Sequence, residues 1–337
     1  MVSLNKSRNR YNASDMLQDL IREPSGQFEN FCRMSADDFN FFLNKIGPLI
    51  VKKDTNMRKA IPVQERFAVA LRFLASGESF KSLSYLFKFS AQTVLTCVFD
   101  VCNALITILQ DEIKMPKTWQ EWKAIGLEFN KKLNFPHCLG ALDGKHIVIQ
   151  SPMNSASEFY NYKHSFSIVL MALVDANYCF TFADIGCQGR ISDSGVFRNT
   201  ILFKKLDAGN LVIPEDETLP MTDIPIPYVF VADDAFALGL HLMKPYAGIY
   251  EKGTKERIFN YRLSRARRIV KNVFGIMAAI FRVFRKPMQL EPEKASKIVL
   301  TCVLLHNFLR RSRSSTHVYT PPGTFDTEKD GHTVPGS

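Results

Sequence analysis

His137 to Gln150 reads HCLGALDGKHIVIQ and places one carboxylate, Asp143, inside a run that otherwise has the character of a buried strand. A buried carboxylate without a partner is costly, so Asp143 needs one. Gly144, next to it, has no side chain and permits another group to come close. Working outward, three more short apolar runs bounded by turn signals predict strands: Ser167 to Asp175 (SIVLMALVD), Tyr178 to Ile185 (YCFTFADI) and Tyr228 to Ala232 (YVFVA).

The first three strands are close enough in sequence to be neighbours. Three adjacent strands, a connecting segment, a fourth strand and then a helix form the order of a ribonuclease-H-like α/β fold, although many α/β proteins share it. Upstream, residues 28–125 have apolar positions spaced by three and four, as in Phe39, Phe42, Leu43 and Ile46, and predict an all-helical region. Within it, Gly77 to Val94 resembles a helix-turn-helix with Ser90 capping the second helix. An ordinary helical hairpin is the stronger reading, because the helix after Ser90 carries almost no base-contacting side chains. Helical spacing returns from Arg262 to about Phe284, and Pro292 opens a last apolar helix. The expected segments are thus a flexible 1–27, a helical 28–125, an α/β domain over 138–310 and a disordered tail over 311–337.

Composition narrows the class. With 337 residues, 46% of them hydrophobic, the chain can bury a substantial core in two or more units. A net charge of +10 favours an anionic partner, either nucleic acid or an acidic membrane surface. The start, MVSLNKSRNRYNASD, has no apolar stretch of a secretory signal, and no run approaches the roughly 18 consecutive apolar residues of a membrane span. Seven cysteines without a CxxC pair predict a reduced, intracellular chain and no zinc site.

The acids carry the chemistry. Asp233 and Asp234 end the strand YVFVA, and Asp193 sits in the polar turn Gly189-Arg-Ile-Ser-Asp-Ser-Gly, either as a helix N-cap or as a functional group. Carboxylates converging from separate strand ends suit hard divalent cations, which prefer oxygen ligands. His146 and His164 either orient a phosphate or a water or, more simply, are satisfied structural histidines. Residues 207–234 hold seven acids and no Lys or Arg, and with four prolines they predict a solvated loop.

GALDGKHIVIQSP, SDSGVFRNT, VADDAFAL and FNYRLSRARRIVKNVFGIMAAIFRVF, in that order, resemble the consecutive motifs of PIF/Harbinger-type DDE transposases and of the host nuclease-like proteins derived from them. The resemblance runs from about residue 138 to 310. It implies a ribonuclease-H-like DDE domain, a divalent metal (Mg or Mn) on Asp143, Asp193 and Asp233, and phosphodiester cleavage with DNA as the partner. It also implies a separate Myb-like DNA-binding protein partner, no membrane, and nuclear residence, with the cytoplasm as a second location. In the fourth motif the family has a glutamate where this chain has Lys271, and residues 257–289 contain no Asp or Glu to replace it. An ammonium there opposes metal loading. Three readings of Lys271 remain: a misaligned motif, a retained fold that binds DNA or protein without cleaving, or residual nuclease activity on the aspartates alone. Around it the chain is at its most basic, and Arg262, Arg265, Arg267 and Arg268 are expected to contact DNA phosphates.

Overall fold

The computed structural model describes residues 13–23, 25–56, 59–219 and 222–325, with the backbone of 327–329 and 332–334. They divide into two compact units: one formed by the chain up to Glu112 with 276–288 and the segment from Lys297 onward, the other by Ile113–Gly275 with Gln289–Ser296.

The first unit is helical: α1 (Ala13–Arg22), α2 (Gln27–Cys32), α3 (Ala36–Ile50), α4 (Val63–Ser76), α5 (Phe80–Phe87) and α6 (Ala91–Leu109). The Ser90 hydroxyl accepts from the Thr93 N–H and caps α6, as its position between two apolar runs predicts. Helix α6 with the turn that follows it is long and apolar enough to cross a membrane by length and composition. Its Val94, Cys97, Val98, Val101 and Leu105 are buried in the unit, which accounts for that apolarity as core packing. Gly77 ends α4 with φ 63°, and a methyl group there would lie 2.9 Å from the Arg282 carbonyl oxygen, so the α4–α5 turn needs glycine twice over.

Two expectations at the chain ends are corrected. Residues 13–22, placed in a flexible start over 1–27, form α1, with Ala13 and Leu17 buried; residues 1–12 and 24 of that expectation lie outside the described residues. In the segment expected to be a disordered tail, Thr316–Tyr319 form a short helix whose Tyr319 is buried, its hydroxyl 2.7 Å from His306 Nδ1. One large aromatic with a satisfied polar end is enough to order that stretch, against its polar composition.

The second unit opens with α7 (Trp119–Leu133), followed by β1 (Cys138–Val148), β2 (Ser167–Val174) and β3 (Phe180–Gln188). Next come two short helices, α8 (Asp193–Asn199) and α9 (Ile201–Asp207), and a two-residue ladder of β4 (Glu217–Thr218) with β5 (Pro225–Ile226). Strands β6 (Val229–Val231) and β7 (Leu242–Met243) complete a five-stranded sheet in the order β3-β2-β1-β6-β7. β1 runs antiparallel to β2 and β2 to β3, while β6 is parallel to β1 and β7 to β6. All four strands expected from the sequence are present, each within three residues of its predicted ends. The expected solvated loop is mostly irregular, yet its Glu217 accepts from Lys123 at 2.5 Å and from the Tyr228 hydroxyl at 3.0 Å.

Helix α10 (Lys255–Ile280) and helix α11 (Pro292–Arg311) each contribute residues to both units. The domain expected to end near 310 therefore gives up residues 276–288 and 297–310 to the helical unit. There Phe308 packs on Phe41 and Phe42, at ring-centre distances of 5.6 and 4.6 Å. Conversely α7, whose first turns fall in the sequence's helical region, belongs with the sheet, since Trp122 is fully buried against Phe230, Leu142 and Leu173. Trp122→Ala is expected to lower stability by about 3–5 kcal/mol, the range for emptying a large aromatic site. Urea denaturation followed by far-UV circular dichroism measures it, and a loss under about 1 kcal/mol would remove Trp122 from the core argument.

Candidate active site

Asp143 occupies the middle of β1, paired across to Ala172 of β2, and is only 8% exposed. Its carboxylate accepts from the Gly144 N–H at 3.0 Å. Asp193 is the first residue of α8. Ser192, rather than Asp193, is the N-cap, its hydroxyl accepting from the Gly195 N–H, so the Asp193 carboxylate is not used for capping. That carboxylate lies against the α-carbon of Gly144 instead: a methyl group at Gly144 would come within 2.7 Å of Asp193 Cγ and closer still to Oδ1. Gly144 is thus where the Asp193 side chain meets β1, and the close approach anticipated from its missing side chain is to that carboxylate. Asp193 Oδ1 is buried and has no hydrogen-bond partner.

Asp233 follows β6 by two residues. One of its oxygens accepts from the Ala235 N–H at 3.1 Å, and the other lies 3.5 Å from Arg267 on α10. Asp234, its neighbour, is exposed. Lys271, one turn beyond Arg267, is exposed as well.

The electrostatics tie these side chains into one site. Burial pushes the Asp143 carboxyl up to about 6 from an ordinary 3.8. The Asp233 charge adds to that rise, the Lys271 ammonium opposes it, Asp193 adds again and the Gly144 N–H opposes. Asp193 is raised too, first by burial and then by Asp233, with Lys163 opposing. Lys163 was not singled out in the sequence. It stands thirty residues from Asp193 in a polar loop, and only the fold brings them together.

Of the four arginines expected to meet phosphate, Arg267 is engaged with Asp233, Arg265 lies over the Tyr261 ring at 5.9 Å, Arg268 is half-buried, and Arg262 is exposed. His146 is held by Ser167, 2.9 Å from its Nδ1, in keeping with a structural histidine, and His164 sits at φ 59° in the loop before β2.

The donor set suits a cation held by few ligands. Among the described residues no group of three or more Asp, Glu, His or Cys is close enough to enclose a metal ion. Asp193, with one buried oxygen unpartnered and Asp143 in electrostatic reach, fits the manner in which Mg²⁺ binds, through one or two carboxylates while keeping several waters.

Residues 142–307 match the family model described as DDE superfamily endonuclease, a span that starts one residue before Asp143 and takes in Asp193, Asp233 and Lys271. The chain carries a DDE superfamily endonuclease domain. Among curated proteins, the one named ALP1-like from Arabidopsis thaliana is 25% identical over 290 residues, covering 84% of this chain and 70% of the relative. Antagonist of like heterochromatin protein 1, from the same plant, is 23% identical over 289 residues, covering 84% and 72%. The human protein named "Putative nuclease HARBI1" is 24% identical over 272 residues, covering 80% and 73%. No solved structure matches. The family resemblance carried by the four motifs is therefore borne out, and its similarity to these relatives extends over the DDE domain and much of the helical unit.

Two outcomes check the geometry. Gly144→Ala drives a methyl group into the Asp193 carboxylate and is expected to cost about 1–3 kcal/mol. In an Asp193→Ala background the same change should cost less than half of that, and equal costs in a urea double-mutant cycle would refute the contact. The second outcome concerns pH. A carboxyl raised in the folded state holds its proton more tightly there, so its contribution is full below about pH 4 and is lost as pH rises through about 6. In metal-free protein, wild-type stability relative to Asp143→Asn should fall by on the order of 3 kcal/mol across that window. A difference that stays flat between pH 4 and 7 would show that Asp143 is not buried among acids.

Proposed function

We propose that this chain is a DNA-directed DDE protein of ribonuclease-H-like architecture in which Asp143, Asp193 and Asp233 hold Mg²⁺ or Mn²⁺ and Lys271 impairs phosphodiester cleavage. The observation that carries the reading is the Asp193 carboxylate packed on Gly144, the residue after Asp143 in β1, with Asp233 after β6 in electrostatic reach of both acids. The sheet supports the architecture: three antiparallel neighbours, β1 to β3, are extended from β1 by two parallel strands, so the acids sit on the central strand, after its parallel neighbour and after the edge strand β3.

A bound metal would activate a water or a 3′-hydroxyl and stabilise the leaving oxygen of the phosphodiester. The chain's own residues set how readily it arrives. Asp193 offers a buried oxygen with no donor, and the Asp143 carboxyl, raised first by burial and then by the Asp233 charge, would be eased by a bound cation. Against these, Arg267 already neutralises part of Asp233, and Lys271 places an exposed ammonium where the family has a carboxylate. Replacing an anion by a cation changes the site by two charges, enough to weaken divalent binding at distances of a few ångströms.

With cleavage weakened, the basic face of α10 remains. Residues 257–289 lack any acid, so Arg262 and its neighbours can meet the DNA backbone without competition on their own helix. The same reading places the protein in the nucleus and admits a Myb-like protein as the partner that locates DNA.

The deciding comparison is supercoiled-plasmid nicking, with Mg²⁺ or Mn²⁺, by wild type, Lys271→Glu and Lys271→Glu/Asp143→Ala. Lys271→Glu is expected to nick at least tenfold faster than wild type, and the added Asp143→Ala to abolish the gain. No gain in Lys271→Glu would mean that the site is lost more widely than at one position.

A further inference from the structure

The segment between β1 and β2 has a shape that neither the sheet nor the carboxylates require. Asn161, 3% exposed, accepts from the Lys163 N–H, the Ser165 N–H and the Ser165 hydroxyl, and donates to the Ser167 hydroxyl at 2.8 Å. One side of the loop is tied to the sheet by the Ile149 N–H donating to the Phe166 carbonyl and by a bridge between Tyr160 and Phe166. The other side is tied to the turn carrying Asp193 by the Arg190 N–H donating to the Glu158 carbonyl, and to the start of β2 by the Ser167 N–H donating to that of Phe159. Three residues with side chains, Asn154, Ala156 and His164, hold left-handed backbone at φ 58°, 44° and 59°. Each such residue costs of order 1 kcal/mol, so the surrounding bonds impose the conformation.

This fixed loop presents apolar and cationic groups outward beside the acids. Tyr162 is 73% exposed, Tyr160 41% and Met153 81%. The Tyr162 ring stands edge-on to His146 of β1 at 5.5 Å, three residues along the strand from Asp143, and the Lys163 ammonium lies 5.2 Å from the Tyr162 ring centre. Lys163 is also in electrostatic reach of Asp193 and Lys145. A rigid aromatic with an adjacent cation is the combination that holds a single nucleic-acid strand, since every base offers a face to stack and every nucleotide a phosphate. A stacked duplex offers no free base face to such a ring.

We propose that the loop from Met153 to His164 is a platform for an unpaired DNA strand beside the carboxylates, the Tyr162 ring stacking on a base and the Lys163 ammonium holding the neighbouring phosphate. The proposal rests on DNA as the substrate and adds that the DNA is unstacked where it meets the site.

Full-length protein is titrated, without metal and at low salt, into a fluorescein-labelled single-stranded 20-mer and into the duplex of the same sequence, with anisotropy as the readout. Tyr162→Ala is expected to weaken single-strand binding about tenfold, the scale of one lost stacking contact, and to leave duplex binding within twofold. Tyr162→Phe should restore wild-type affinity, and Lys163→Gln should reduce the salt dependence of single-strand binding by about one phosphate contact. Circular dichroism confirms that each variant is folded. If wild type binds both DNAs and Tyr162→Ala weakens neither, or weakens both alike, the platform is refuted while the DNA reading stands. If wild type binds neither DNA, both fall together.

Discussion

Negative charge gathered in a confined space is the constraint around which the second unit is arranged. Asp143 lies in a strand buried on both flanks, where water cannot screen it, and Asp193 is brought onto its neighbour Gly144 at a distance that no larger residue would allow. Repulsion among carboxylates within electrostatic reach of one another is relieved by protons or by nearby cations. Asp143 binds its proton more tightly than usual, Arg267 lies against Asp233, and the Lys271 charge opposes the rise at Asp143. Proton and lysine are alternative sources of relief for Asp143, so strengthening one weakens the need for the other.

At position 271 a lysine opposes the rise of the Asp143 carboxyl, whereas a glutamate would add a further anion near it. The geometry at Gly144 is kept in either case, since it depends on backbone, on the Ser192 cap and on the packing of Val196 and Phe197 under α8.

Much of this was legible from the sequence because the relevant signals are local. Alternation of short apolar runs with turns located β1, β2, β3 and β6, a charge in the middle of such a run marked Asp143, and the glycine after it announced a close approach. Ser90 capped the helix that it was expected to cap. What the sequence left open involves partners distant along the chain. Whether Asp193 was a cap or a site residue depended on Ser192 taking the cap, a competition between adjacent residues with similar propensity. That Arg267 would turn toward Asp233, and Arg262 toward solvent, depends on the rotation of α10 against the sheet, which helical spacing alone does not set. The ends of the chain were misjudged because polar composition predicts disorder on average, while single buried residues such as Leu17 and Tyr319 decide the outcome locally.

The loop before β2 shows the same limit and suggests how to read past it. Its sequence, YNYKHSFS, contains no periodic signal and few charges, so it ranks low in any search for function. In the structure a single buried amide, Asn161, takes up the polar groups of the turn, and the side chains next to it in sequence are forced outward. Burial of one residue thus fixes the exposure of its neighbours. A tyrosine that is exposed because the backbone beneath it is fully bonded differs physically from one on a loose loop, since holding it in place before a ligand arrives removes most of the ordering entropy that binding would otherwise cost. Tight internal bonding beneath an exposed aromatic, next to a cluster of acids, is a stronger indication of a binding surface than the residue types alone.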